Sequence, residues 1–235
     1  MSQTLFSTTN YPLSKLIEDI ELGEIALPDI QRPFVWKATK VRDLFDSMYK
    51  GFPIGYLLFW QYKSSTSGRQ IGTGDKEHVP RLLVVDGQQR LTSLYAVIKD
   101  RPVINDSYDE VEIDISFRPA DSTFEVTTAA SRRNPEYIDD ISDLWASNTD
   151  LFEFVHQFLQ RLEEHREVKS AKRKRIQKAI QRLYAITGYQ FTAMELNENV
   201  DEEEVAEVFV RVNSKGESLK QADFILTLMS VFWED

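Results

Sequence analysis

The residues best suited to chemistry fall in one string, LLVVDGQQRLTSL, at positions 82 to 94. An apolar run ends at Asp86, Gly87 permits a tight turn, and a helical stripe of Leu91, Leu94, Tyr95 and Ile98 follows. The first N–H groups of such a helix have no partner within it, and the helix dipole favours negative charge there, so the turn is a natural anion site. Gly87 lets a phosphate come close to the backbone. Gln88 and Gln89 carry neutral amides that can donate to phosphate oxygens or read a base edge. Arg90 adds a permanent charge with a planar donor fork suited to phosphate. Asp86 can hold a magnesium ion through water or orient a nucleophile. This layout supports nucleotide binding, and phosphoryl hydrolysis driven by positioning and electrostatics. The same residues also read as a plain helix start, with Asp86 as cap, Gly87 serving the turn and Arg90 an ion pair. Spacing leaves both readings open.

Other chemistries are limited by what the chain contains. Cysteine is absent, which excludes disulfides, thiolate metal sites and thiol nucleophiles. The histidines are His78, His156 and His165, and none has a nuclease-like setting. His156, between Val155 and Phe158, is expected to pack as a structural residue; His78 belongs to a polar loop, and His165 opens a basic run and is expected in solvent. Neither a structural zinc nor DNA cleavage by these residues alone is expected. No G-x-x-x-x-G-K-[ST] string occurs, and the glycines of SGRQIGTG (67 to 74) lack the lysine and following helix of a phosphate-binding loop.

The elements around the string can be placed from periodicity. Leu13, Leu16, Ile17 and Ile20 predict a helix that Pro12 starts and Gly23 ends, and Val41, Leu44, Phe45 and Met48 predict a second, ended by Gly51. Two prolines keep residues 27 to 36 extended or turning. Residues 54 to 60 and 81 to 86 read as buried strands, separated by a polar loop from Lys63 to Pro80 that is expected to be mobile. Segments 111 to 117 and 123 to 127 read as a hairpin. Beyond residue 135 the pattern is mostly helical. Stripes of Leu151, Phe154, Val155, Phe158 and Leu162, and of Ile176, Ala179, Ile180 and Leu183, precede a returning strand at 189 to 196 and an acid-started helix carrying Val205, Val208, Phe209 and Val212. After Gly216, Ser218 and Gln221 predict a capping box for a last helix. That helix is apolar on nearly every side, so it needs cover on every side; continuation of the natural protein beyond Asp235 is expected, with contact to a second copy as the other source of cover.

The class is α+β. Its 42% hydrophobic content is sufficient for a real core, and no apolar run reaches the length of a membrane span, nor is there a secretory signal at the N-terminus, so a cytoplasmic location is expected. A net charge of −10 argues against indiscriminate coating of DNA, although basic residues gather between Arg161 and Arg182. That run reads either as a solvated helix face or as a face that steers a polyanion.

The string DGQQR at 86 to 90 resembles the signature of the GmrS-type, ParB/sulfiredoxin-like domain at the N-terminus of modification-dependent restriction endonucleases and related phage-defence proteins. Further residues fit in family order: Pro28, Gln31, Arg32, Val35 and Trp36; Pro53, Ile54 and Gly55 with the following Leu-Leu-Phe-Trp; and Phe209, Arg211, Asn213, Gly216 and Leu219, with Asp223 at a position acidic in the family. The resemblance implies a ParB/sulfiredoxin-like mixed-sheet core with flanking helices over residues 1–130, and a mostly helical extension over 131–235 whose strand at 189–196 completes the same domain.

It further implies that the start of the Gln88 helix binds a nucleoside triphosphate with Mg2+ or another divalent cation. Related members hydrolyse nucleotides and use this to license or restrain DNA cleavage by a C-terminal HNH-type nuclease domain, which is missing from these residues. Carried over, Asp86 and Arg90 serve turnover, Asp86 holds the metal, and Gly87, Gln88, Gln89 and Arg90 bind the nucleotide. Gln31 and Arg32 become neighbours of that site, while Arg211 and Asn213 close the pocket from the other side. For Gln31 and Arg32 the competing role is anchoring their loop; for Asn213 it is a buried polar network at the helix end. The competing function is a module that senses DNA or a DNA modification without hydrolysing nucleotides.

Overall fold

The computed structural model describes residues 4–26, 33–61 and 80–213. In chain order the elements are β1 (Phe6–Pro12), α1 (Leu13–Leu22), β2 (Ile25–Ala26), α2 (Ala38–Lys50), β3 (Leu57–Gln61), β4 (Leu82–Asp86), α3 (Gln88–Lys99), β5 (Val103–Ile104) and β6 (Glu110–Val111). They continue with β7 (Ile115–Arg118), β8 (Thr123–Val126), α4 (Ala129–Arg133), α5 (Leu151–Glu163), α6 (Ser170–Tyr184), β9 (Gln190–Leu196) and α7 (Glu202–Asn213). The mixed α+β class and the helical character of the later chain are as expected.

Five strands make one sheet in the order β1–β9–β3–β4–β2. β3 runs parallel to β9 and antiparallel to β4, which is parallel to β2. Leu57, Leu58, Phe59 and Trp60 are all buried because this central strand is covered on both faces. Leu57, Phe59, Leu82, Val84, Phe191 and Ala193 face the core shared with α1, α2 and α3. Leu58, Trp60, Leu83 and Leu196 face the other way, onto Val205, Ala206 and Phe209 of α7. Each Leu, Val or Phe among them contributes about 1.5–3 kcal/mol by leaving water. The larger core continues through Phe117 and Phe124 of the β7–β8 hairpin, packed tilted and edge-on against Tyr49, into the inner stripes of α5 and α6.

Several expectations are corrected by the structure. The strand read at 54 to 60 begins at Leu57, because the carbonyls of Ile54 and Tyr56 turn toward Arg90 instead of a neighbouring strand. The run read as one strand at 111 to 117 is split: Val111 pairs with Val103, and the hairpin proper joins Ile115–Arg118 to Thr123–Val126. β1 has no apolar alternation to announce it, since it is an edge strand with mostly exposed Ser, Thr and Asn. His156 is exposed, not packed: the phase of α5 is set by Val155, Phe158, Leu159 and Leu162, and that turns residue 156 outward. His165 is exposed, as expected. The polar loop read at Lys63 to Pro80, apart from Pro80, which is buried, the break at Gly216, the Ser218–Gln221 box and the apolar last helix lie outside the described residues. Among the described residues no helix is long and apolar enough to cross a membrane.

One buried polar network sits inside this fold. Glu195 points inward from β9, accepting from Tyr11 Oη at 2.6 Å and Gln61 Nε2 at 3.1 Å. Burial alone would raise its carboxyl, but these bonds, one from Thr9 and the charge of Arg81 outweigh that and hold it below its ordinary 4.5. A carboxylate whose folded value is depressed contributes stability above its unfolded value, lost as pH falls through the folded one. Glu195→Gln is therefore expected to cost more stability near pH 7 than near pH 3 in urea unfolding. An equal cost at both values would show that the charge of Glu195 contributes nothing.

Candidate functional site

β4 delivers Asp86 to the end of the sheet, and Gly87 turns the chain into α3 with φ of +97°. That dihedral lies in the left-handed region, where a side chain costs about 1–2 kcal/mol. Space forbids one as well, since a Cβ on Gly87 would press into Leu57 Cδ2 and sit 3.2 Å from Arg90 Nη2. Gly87 is thus required by its dihedral and by its neighbour on β3. As Gly87 has no side chain, the first turn of α3 carries no side-chain cap.

Arg90 lies one turn into α3, and its fork is turned back onto the chain. Nη1 donates to the carbonyl of Ile54 at 2.7 Å, and Nη2 donates to the carbonyl of Tyr56 at 2.7 Å and approaches Asp86 Oδ2 at 3.4 Å. The side chain is 15% exposed. Burial lowers the guanidinium from its ordinary value, and the charge of Asp86 opposes that shift; the group stays charged near neutral pH. Gly55 completes the fit: with φ of +90° it presents no Cβ, which would stand 2.7 Å from Arg90 Nη1. The ion pair between Arg90 and Asp86 is the arrangement that the plain helix-start reading anticipates. The two carbonyl bonds were not foreseen, although a glycine after Pro53 and Ile54 was the available signal.

Gln89 makes a second clamp. Its Oε1 accepts from the N–H of Val35 at 3.0 Å and its Nε2 donates to the carbonyl of Pro33 at 3.3 Å. The segment is held further by Phe34, whose N–H donates to the carbonyl of Ile104 at 2.7 Å. Gln31 and Arg32 themselves lie outside the described residues, but Pro33, next in the chain, is fastened to the motif helix. Gln88 is half-buried beside these clamps. Asp86 is 32% exposed at the lip of the turn.

The remaining candidates are spread more widely. Arg211 sits in the last turn of α7, which covers the opposite face of the sheet from α3, and its guanidinium pairs with Glu207 and is largely exposed. Asn213 closes α7. Among the described residues no group of three His, Asp or Glu side chains is gathered to hold a metal ion. A cation on Asp86 would then draw its other ligands from water and phosphate oxygens, as magnesium commonly does.

The five motif residues therefore form a turn in which Gln89 and Arg90 tie two distant segments, residues 33 to 35 and 54 to 56, to the start of α3, while Gly87 makes room for Leu57. The backbone N–H groups of the first helical turn, Gln88 and the Asp86 carboxylate make up the lip. Such a lip can bind an anion through the helix start and a cation through the carboxylate.

Comparison with known proteins bears on this site. A family model described as the N-terminal domain of the GmrSD restriction endonuclease matches residues 13–230, nearly the whole chain. An uncharacterized protein of Methanocaldococcus jannaschii is 34% identical over 95 residues, covering 37% of this chain and 16% of that relative's length.

Proposed function

Since the chain belongs to the family of GmrSD restriction endonuclease N-terminal domains, we propose that it is the nucleotide-binding regulatory module of a DNA-defence nuclease. The nucleotide is a nucleoside triphosphate with a divalent cation, held at the start of α3. Its binding or hydrolysis would license or restrain cleavage by an HNH-type nuclease domain outside these residues. The observation that carries this reading is the lip itself: an uncapped helix start on a glycine turn, beside a partly exposed aspartate.

Roles divide within the motif. The phosphates would accept from the N–H groups of the first helical turn and from the Gln88 amide, and Asp86 would hold the cation through water. Gln89 and Arg90 act as positioning residues, because their polar groups already hold residues 33 to 35 and 54 to 56. The cation, when bound, would shield the charge of the phosphate oxygens.

Gln88→Ala is expected to weaken binding of a magnesium triphosphate by roughly tenfold, the worth of one hydrogen bond to a charged group, with the melting temperature followed beside it. Calorimetry with the four ribonucleoside triphosphates, with phosphate release followed in the same samples, tests this. Failure of the wild-type chain to bind any of the four would leave the other reading, a DNA-sensing module without nucleotide turnover.

A further inference from the structure

We infer that the outer face of α6 is a docking surface for the phosphate backbone of duplex DNA. The chain carries 38 acidic residues, yet none of them falls between Val168 and Met194. α6 occupies the middle of that stretch. Its apolar stripe of Ile176, Ala179, Ile180 and Leu183 is spent on the core. At 100° per residue, Lys174, Arg175, Lys178 and Arg182 then fall together on the opposite side, and all four are exposed.

Three arginines elsewhere in the basic run are engaged by the fold. Arg173 pairs with Glu163, Arg166 pairs with Glu136, and Arg161 donates to the carbonyl of Tyr137 at 2.8 Å. Among the described residues Lys174, Arg175 and Lys178 have no carboxylate partner, and Arg182 is steadied by the Tyr49 ring at 4.7 Å. The tertiary structure has thus separated arginines bonded within the fold from an exposed stripe without carboxylate partners.

The stripe has the dimensions of a nucleic-acid contact. From Lys174 to Arg182 the helix advances about 12 Å, at ~1.5 Å per residue. Along one DNA strand a charge recurs about every 3.4 Å, so roughly three to four phosphates lie opposite four cations. Ala171 and Gln181, which share the face, present neither opposing charge nor bulk. A lipid surface fits less well, since a helix that lies in a membrane needs its apolar face outward, and this one is buried. The net charge of −10 makes attachment local to this face rather than a property of the whole surface. The choice of DNA among polyanions rests on the nuclease-module reading above; the charge pattern stands without it.

Anisotropy of a labelled ~20-base-pair duplex, titrated with the 235-residue chain from about 50 to 200 mM salt, tests the inference. Wild type is expected to lose affinity about a hundredfold across that range, with a log–log slope of roughly −3 to −4. Lys174→Gln with Lys178→Gln should weaken binding at least tenfold at low salt and reduce the slope by about 2, with unchanged melting. Titration of the double variant with magnesium ATP reads the α3 site separately. DNA binding lost with ATP binding kept supports the face; a fall in slope without ATP binding in either protein also supports it and removes the nucleotide reading alone. A wild-type slope near zero, a double variant indistinguishable from wild type, or capture by phosphatidylserine vesicles without capture of DNA would overturn it.

Discussion

Arg90→Ala is expected to destabilise the fold by about 3 kcal/mol, because it strips the carbonyls of Ile54 and Tyr56 of their donor and leaves Asp86 without its cation. Each hydrogen bond to a charged group contributes about 1.5–3 kcal/mol, and water reaching the half-open turn recovers part of the loss. In a chain of this size the loss lowers the melting temperature by roughly 6–12 °C. Arg90→Lys should recover only part of it, since one ammonium cannot replace two nitrogens that each reach a different carbonyl at 2.7 Å. Thermal and urea unfolding of the three proteins decide the matter. If the alanine variant melts within a degree of wild type and fails to bind triphosphate, Arg90 is a ligand and not part of the frame. Loss of binding in an Arg90 variant that also melts lower would follow from loss of the turn alone.

Gly87→Ala should cost about 2–4 kcal/mol. Roughly 1–2 kcal/mol comes from forcing an L-residue to φ of +97°. The rest comes from pressing a methyl group into Leu57, which has no solvent exposure and no room to retreat. Leu57→Ala alone opens a cavity and costs about 2–5 kcal/mol. Combined, the two substitutions should cost at least ~1 kcal/mol less than their sum, because the new methyl group enters the space that Leu57 vacates. Strict additivity in that cycle would assign the whole penalty at Gly87 to its backbone dihedral.

Both predictions concern residues that the amino-acid string itself singles out. The boundary between Asp86 and α3, the turn at Gly87, the stripes of α1, α2, α5 and α6 and the returning strand β9 are all legible in the chain. Each is a local matter of periodicity, helix ends and turn residues. β1 escaped because an edge strand of exposed polar residues carries no alternation. Glu195 escaped because a charged residue at an inward position becomes credible only when Tyr11, 184 residues away, is seen to hold it.

The motif residues show the same division at closer range. Their types identify a turn that can meet a phosphate, and a side chain such as Arg90 reads as its natural ligand. What a guanidinium bonds is decided by which acceptors come within about 3 Å, and those belong to a segment more than thirty residues earlier, bent inward by Gly55. Likewise the sequence announces a basic run but cannot say which of its cations are neutralised, since Glu163 reaches Arg173 only through the packing of α5 against α6, and Glu136 reaches Arg166 from the segment before α5. Composition and local pattern determined the class, the helices and the place where chemistry is centred. The partners of each charged and polar group were decided by tertiary contacts, because short-range bonds depend on positions that only the folded chain brings together.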